Sequence, residues 1–130
     1  MTARVAGARD VALNEMNWRG FVINTAETAI TVDASDSGII FLQNYATAAT
    51  YTLPAVGLGA GKMFKFVCIN TATKTLVTTS DATALIKGTY TAGAAKTTIT
   101  SGAIGDSVTI VGDGTYWYVM EGFKGAWTTA

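Results

Sequence analysis

Residues 107–120 read Ser-Val-Thr-Ile-Val-Gly-Asp-Gly-Thr-Tyr-Trp-Tyr-Val-Met, two strand-forming runs that flank Asp113-Gly114. An Asp-Gly pair between alternating runs is the strongest short-range hairpin signal, because a type I′ turn needs positive φ at both central residues. With a loop of two residues, Ile110 would face Trp117 across the hairpin. One face of the hairpin would then carry Val108, Ile110, Trp117 and Val119, and the other would carry Thr109, Val111, Tyr116 and Tyr118. The first face suits a hydrophobic core and the second suits a partner.

Shorter runs of the same kind occur along the rest of the chain. Threonine is β-branched and favours strands, glycine interrupts them, and Pro54 is the single proline. The runs that this pattern predicts as strands are 29–32, 39–43, 50–53, 63–69, 74–78, 85–87 and 97–100. About seven to nine short strands bounded by turns indicate an all-β protein, a single-domain β-sandwich that is jelly-roll-like.

The composition is that of a protein that associates. The 130 residues are enough for one domain. Hydrophobic residues make up 49% and charged residues only 14%, against roughly 25% charged in an average soluble protein. Nine Lys and Arg balance nine Asp and Glu, and a neutral surface with few charges promotes association. We interpret the chain as an assembly subunit.

Several classes of function are disfavoured by the same composition. The chain has no His, which is the commonest general base and metal ligand, and its single cysteine, Cys68, permits no thiolate zinc site. Zero net charge argues against nucleic acid as a partner. No apolar run approaches the roughly 20 residues of a membrane span, so no membrane partner is predicted. Arg4, Arg9 and Asp10 interrupt any signal-peptide core, so we expect the mature chain to start at Met1.

Two motifs begin like ligand-binding loops and then depart from the pattern. Residues 33–38 have the opening spacing of a calcium loop, but Asn44 stands where the closing bidentate Glu is required. Residues 57–62 are glycine-rich, but a phosphate loop would need Gly at Val56 and Ser or Thr at Met63. Most acidic residues fall in predicted turns and no pair stands out. The sequence therefore predicts no enzyme, no metal and no cofactor.

Residues 1–24 are predicted to be an N-terminal arm and residues 25–130 the β-sandwich domain. All three arginines lie in the first nineteen residues, while all six lysines lie from Lys62 onward. Arginine and aromatic residues are enriched at protein contacts. The residues predicted to hold a partner or a neighbouring subunit are Arg4, Arg9, Trp18, Arg19 and Phe21. The alternative is an ordinary terminus with solvated side chains.

Short motifs follow one another in a fixed order between residues 30 and 120. They are Asp36-Ser37-Gly38 before a strand, Tyr51-Thr52-Leu53-Pro54, the glycines at 57, 59 and 61, Phe64-Lys65-Phe66-Val67, and Asp113-Gly114-Thr115 leading into Tyr116-Trp117-Tyr118-Val119. In this order the motifs resemble small β-rich virion proteins of tailed bacteriophages. Such proteins include capsid decoration (cement) proteins and domains of tail fibres and spikes.

The resemblance implies a structural virion protein, made in the host cytoplasm and located on the outer capsid surface. A fibre subunit generally needs a shaft and an attachment domain, which 130 residues do not accommodate. We therefore expect a cement protein that bridges capsid subunits and stabilises the head. Its expected partners are the major capsid protein and itself, as a homodimer or homotrimer, with Val111, Tyr116 and Tyr118 forming the self-association face. The alternative is a small tail-fibre or spike domain that binds a receptor or glycan through its aromatic residues.

Overall fold

The computed structural model of the chain describes residues 18–70, 75–81, 85–87, 97–124 and 127–129. These residues form short β-strands joined by turns, with 3-10 helices at Ala34–Asp36 and Val56–Leu58. The strands are β1 (Gly20–Asn24), β2 (Ala29–Thr31), β3 (Ile39–Gln43), β4 (Ala49–Thr52), β5 (Met63–Cys68), β6 (Thr75–Thr78), β7 (Ile86–Lys87), β8 (Thr98–Thr100), β9 (Ser107–Gly112), β10 (Trp117–Lys124) and β11 (Thr128–Thr129). The predicted all-β class is confirmed.

The strands form two sheets. One has six strands in the order β1-β3-β5-β9-β10-β7, and the other has five in the order β11-β8-β6-β4-β2. From β1 to β6 the chain alternates between the sheets, so each strand pairs in parallel with the strand two places earlier. The later strands pair antiparallel, except that β7 is parallel to β10.

This topology confirms the β-sandwich and does not confirm the jelly roll. A jelly roll is built from antiparallel strands, whereas β1, β3 and β5 run parallel, as do β2, β4 and β6. The reason is that each early loop crosses to the opposite sheet. After two crossings the chain returns to its first sheet in its original direction. Among the described strands, β9 and β10 are the consecutive pair that forms a hairpin.

Aromatic rings from both sheets meet in the core. Tyr51 on β4 lies 5.7 Å from Phe41 and 5.3 Å from Phe66, measured between ring centroids, and both phenylalanines belong to the six-stranded sheet. The two phenylalanine rings stack at 5.3 Å. Alternate residues of β5 and β9 are fully buried, so the period-two pattern of the sequence does place one side of each strand in the core.

The C-terminal hairpin has the predicted faces but a different register. Trp117 pairs with Gly112, not with Ile110, so the loop contains four residues. The Asp113 carboxylate accepts hydrogen bonds at 2.7 Å from the backbone N–H groups of both Thr115 and Tyr116, which keeps these two residues in the turn. The shift is two residues, and an even shift leaves the side chains of both strands on their predicted faces, while Tyr116 moves into the loop.

The last five residues of the predicted arm, 20–24, belong to a sheet. Gly20–Asn24 forms β1, which pairs along its whole length with β3. The three consecutive apolar residues Phe21, Val22 and Ile23 have the high strand propensity that favours this pairing. The domain therefore includes residue 20 onward, and residues 1–17, with Arg4 and Arg9, lie outside the described part of the chain.

A buried polar network links the aromatic core to Asn24, the last residue of β1. The Gln43 side chain is fully buried, and its Oε1 accepts hydrogen bonds from the Tyr51 hydroxyl at 2.7 Å and from Asn24 Nδ2 at 2.8 Å. Gln43 Nε2 donates to the carbonyl oxygen of Thr47 at 3.0 Å. Because these groups are paired, the core holds them without the cost of an unsatisfied polar atom.

Raising the pH above 10 is expected to destabilise the fold through Tyr51. Burial raises the pKa of Tyr51 from 10.0 to about 12, because the phenolate would lose its hydration. Below pH 10 the phenol is protonated in both the folded and the unfolded chain, so its stabilising contribution is complete. Between pH 10 and 12 the unfolded chain ionises first, and that contribution is lost. Urea unfolding should show a steeper loss of stability over this range for the wild type than for Tyr51→Phe, and equal slopes would contradict the prediction.

Candidate interaction surface

The outward side of the six-stranded sheet carries mainly apolar side chains. Strand register aligns them in rows that cross the sheet. One row contains Phe21, Ile40, Lys65, Thr109 and Met120, a second contains Ile23, Leu42, Val67 and Ser107, and a third contains Met63, Val111, Tyr118 and Lys87. We call these three rows the outer sheet face.

The outer sheet face is accessible and carries little charge. Phe21 is 62% exposed and Met120 is 48% exposed, at opposite ends of the first row. Most of the remaining side chains are half-buried against one another. Lys65 and Lys87 are charged, and Lys124, which pairs with Ser107, continues the second row with a third lysine. The apolar members adjoin one another and are partly exposed, and a contiguous apolar surface is typical of interaction sites, whereas single exposed apolar residues are not.

The tyrosines of the hairpin are held at the rim of this face by contacts within the chain. The Tyr116 and Tyr118 rings meet edge-on, with centroids 6.4 Å apart, and Lys87 Nζ lies 3.7 Å from the centre of the Tyr116 ring. The Tyr118 hydroxyl donates to Asp113 Oδ2 at 2.9 Å. Both rings are therefore fixed before any partner binds, which lowers the entropic cost of binding.

The electrostatics of the hairpin turn follow from the same contacts. Hydrogen bonds from the backbone N–H groups of Tyr116 and Thr115 hold the pKa of Asp113 below its usual value. The hydrogen bond to the Asp113 carboxylate raises the pKa of Tyr118. At neutral pH the turn thus presents a carboxylate and a protonated phenol, a combination that also fixes the direction of the Tyr118 hydroxyl.

The described members of the predicted arm lie in different surroundings. Phe21 projects from β1 onto the outer sheet face, whereas Trp18 is half-buried just before the strand. The Arg19 backbone N–H donates to the carbonyl oxygen of Gly38 at 2.8 Å, and its guanidinium donates to the Ser35 carbonyl at 3.3 Å. These two hydrogen bonds of Arg19 connect the start of β1 to the segment that contains the 3-10 helix Ala34–Asp36.

Phe21 of the predicted arm shares one surface with Val111 and Tyr118 of the predicted self-association face. From the sequence, Phe21 is predicted to belong to an arm, and Val111 and Tyr118 are predicted to belong to a separate self-association face. The strand order places Phe21 on β1 and Tyr118 on β10 of the same sheet, four strand spacings or about 19 Å apart. Tyr116 lies in the hairpin loop beside them. Arg4 and Arg9 are not among the described residues.

Sequence reasoning missed the residues between these two sets. Ile40 and Leu42 on β3 complete the outer sheet face, and the signal for them was present in the sequence. The run Ile39-Ile40-Phe41-Leu42 is apolar at every position, so both of its sides prefer to be covered. One side packs into the core and the other is left on the surface.

The motifs that resemble ligand loops have structural roles. Asp33 caps the 3-10 helix Ala34–Asp36, accepting a hydrogen bond from the Ser35 N–H at 3.0 Å. The Asp36 carboxylate accepts one in return from the Asp33 N–H at 2.9 Å. The predicted turn is confirmed at this position. Among the described residues, no group of three or more Cys, Asp or Glu could hold a metal ion, and no helix is long and apolar enough to cross a membrane.

The chain is an all-β sandwich, and its six-stranded sheet has a largely apolar outward side. No protein-family model matches the chain, and no curated protein matches it in sequence.

Proposed function

We propose that this chain is a capsid decoration (cement) protein of a tailed bacteriophage. In this proposal the outer sheet face docks on the outer capsid surface, where it bridges copies of the major capsid protein. Arg4 and Arg9 add contacts from the N-terminal residues. The protein would be made in the host cytoplasm and would reside in the virion, without nucleic acid or membrane as a partner.

The observation that supports the proposal is that Phe21, Val111 and Tyr118, three of the predicted contact residues, belong to the outer sheet face. A sheet backed by a rigid aromatic core offers a flat, pre-formed apolar platform. Lys65 lies in the first row, which runs between the other two, and Lys87 lies at the rim of the face. The complementary partner is therefore an apolar surface with carboxylates near its centre.

A decoration protein must resist the pressure of packed DNA through many modest contacts. Each docked domain adds a bridge between neighbouring capsid subunits, and linked contacts gain affinity through effective concentration. A low surface charge suits this task, because charged residues are depleted at the centre of protein interfaces.

The number of copies of this chain in purified particles of the phage that encodes it tests the proposal. A copy number on the scale of the capsid subunits is the expected result. A handful of copies, on the scale of the tail appendages, would support the receptor- or glycan-binding alternative and overturn decoration. Particles without the chain would overturn both.

Met120→Lys is expected to weaken binding to undecorated heads at least tenfold. Met120 is 48% exposed on the outer sheet face, and a docked partner would bury it, so the variant places a lysine where an apolar contact is lost. Cosedimentation of the purified chain with heads measures the change. Ile104→Lys is the matched control, because Ile104 is 51% exposed in the loop before β9 and lies off the face. Equal binding by both variants would exclude the outer sheet face as the docking surface.

A further inference from the structure

The two edge strands β1 and β2 lie together at one end of the sandwich. β1 is the terminal strand of the six-stranded sheet and β2 is the terminal strand of the five-stranded sheet. A turn of four residues, 25–28, joins them. Within the described residues, β1 pairs with β3 alone and β2 pairs with β4 alone. Each strand therefore has one row of backbone N–H and C=O groups that faces away from its sheet.

Within the described residues, β1 and β2 themselves carry none of the side chains or bulges that usually prevent an edge strand from pairing with another chain. Proteins protect sheet edges with charged side chains, proline or bulges. Neither Gly20–Asn24 nor Ala29–Thr31 contains a charged residue or a proline, and the β1 ladder runs in regular register with β3.

The core is also open at this end. Val22 aligns with the buried Phe41 and so belongs to the inward side of its strand, yet it is 52% exposed. Ile30 aligns with the buried Tyr51 and is only half-buried. A groove of about 280 Å³ lies between the two strands, lined by Val22, Ile23, Ile30 and the turn that connects β1 to β2.

We propose that a second copy of this chain covers this end, with β1 and β2 each pairing antiparallel to the same strand of the partner copy. The resulting dimer has one two-fold axis that runs perpendicular to both sheets. It passes beside Val22, the middle residue of β1, and beside Ile30, the middle residue of β2. Such an interface is isologous and closed.

One two-fold axis can pair both edge strands with their copies, because the middle residue of each strand is an inward-facing apolar residue. With Val22 opposite its own copy, Gly20 lies opposite Asn24 and Phe21 lies opposite Ile23. Ile30 likewise meets its own copy. The inward side chains would then close the core of both copies, and the outward aromatic–aliphatic pairs would extend the outer sheet face across the axis.

The charges near the edge are complementary in this arrangement. Continuing the same register places Arg19 of one copy opposite Thr25 of the other, two residues from Glu27. Because antiparallel pairing puts these groups at opposite ends of the ladder, unlike charges adjoin at each end and like charges are kept apart. The inference concerns the free chain and does not depend on capsid binding.

Sedimentation of the full chain at micromolar concentration tests the inference. The wild type should sediment as a dimer. Val22→Lys should raise the dimer dissociation constant about a hundredfold or more, since it puts two like charges directly opposite each other at a desolvated position. Leu58→Lys is the matched control, because Leu58 is 65% exposed in the 3-10 turn at Val56–Leu58, outside this end. It should leave the dimer intact.

A cross-linking variant tests the axis itself. Val22→Cys should form an intermolecular disulfide with oxidised glutathione as the oxidant, because directly opposed Cβ atoms in an antiparallel pair lie about 4.5–5.5 Å apart. Leu58→Cys should remain monomeric on a non-reducing gel.

The inference is overturned by a monomeric or trimeric wild type, or by a dimer that Val22→Lys leaves unchanged. A chain that is monomeric until residues 1–17 are deleted would also overturn it, since its own N-terminal residues would then be the occupant of this end.

Discussion

Replacing Trp117 with alanine is expected to lower the free energy of unfolding by about 3–5 kcal/mol. Trp117 is fully buried at the first position of β10, and its ring lies 6.0 Å from that of Phe64, measured between centroids. The indole also covers two glycines. A Cβ built on Gly112 would lie 2.6 Å from the six-membered ring, and one built on Gly59 would collide with the same ring. The site is therefore shaped around the indole and cannot close readily over alanine.

Urea unfolding, followed by circular dichroism and extrapolated to water, measures this loss. Tyr116→Ala is the control, because it removes an aromatic ring from the same hairpin. It should lower the free energy of unfolding much less than Trp117→Ala, because Tyr116 is half-buried at the surface. Trp117→Phe should cost less than half as much as Trp117→Ala. It keeps an aromatic ring and removes an indole N–H that is buried with no hydrogen-bond partner in the described structure. Similar losses for alanine and phenylalanine would contradict this account.

Gln43→Leu is expected to lower the free energy of unfolding by about 2–3 kcal/mol, although it places an apolar residue in the core. The change removes the acceptor for the Tyr51 hydroxyl and for one N–H of Asn24, and it removes the donor to the Thr47 carbonyl. The Asn24 amide retains a hydrogen bond to the Glu27 carbonyl at 2.7 Å. The main penalty is therefore the Tyr51 hydroxyl, which is left buried without a partner.

A double-mutant cycle with Tyr51→Phe separates this penalty from the change in packing. Once the hydroxyl has been removed, Gln43→Leu should cost at least about 1 kcal/mol less than it does in the wild type. Strictly additive losses would show that the Gln43–Tyr51 hydrogen bond does not carry the effect.

Local sequence patterns predicted the strands and their two sides well. The run 39–43 forms β3 with the predicted bounds, and Val108, Ile110 and Trp117 are buried on one side of the hairpin as alternation required. Alternation is reliable here because successive side chains of any extended strand point to opposite sides, whichever strand lies beside it.

The sequence predicts less well which strands pair with each other and in which register. The Asp113-Gly114 pair predicts a two-residue loop, but the carboxylate of Asp113 captures two further backbone N–H groups and lengthens the turn. The arginines and aromatic residues around residues 20–24 favour the prediction of an arm. Its uncharged run Phe21-Val22-Ile23 is equally typical of an edge strand, and only the pairing with β3 distinguishes the two.

By itself, the sequence determined that this protein is all-β, poor in charge, and built from strands with an inward and an outward side. Those properties follow from composition and from a period of two residues, which act locally. The tertiary structure alone decided that the first six strands coil in parallel between two sheets, that Phe21 and Tyr118 share one face, and that Val22 and Ile30 meet at an open end. Strand order depends on which sheet each loop crosses to, and that choice is made by contacts between residues far apart in the chain.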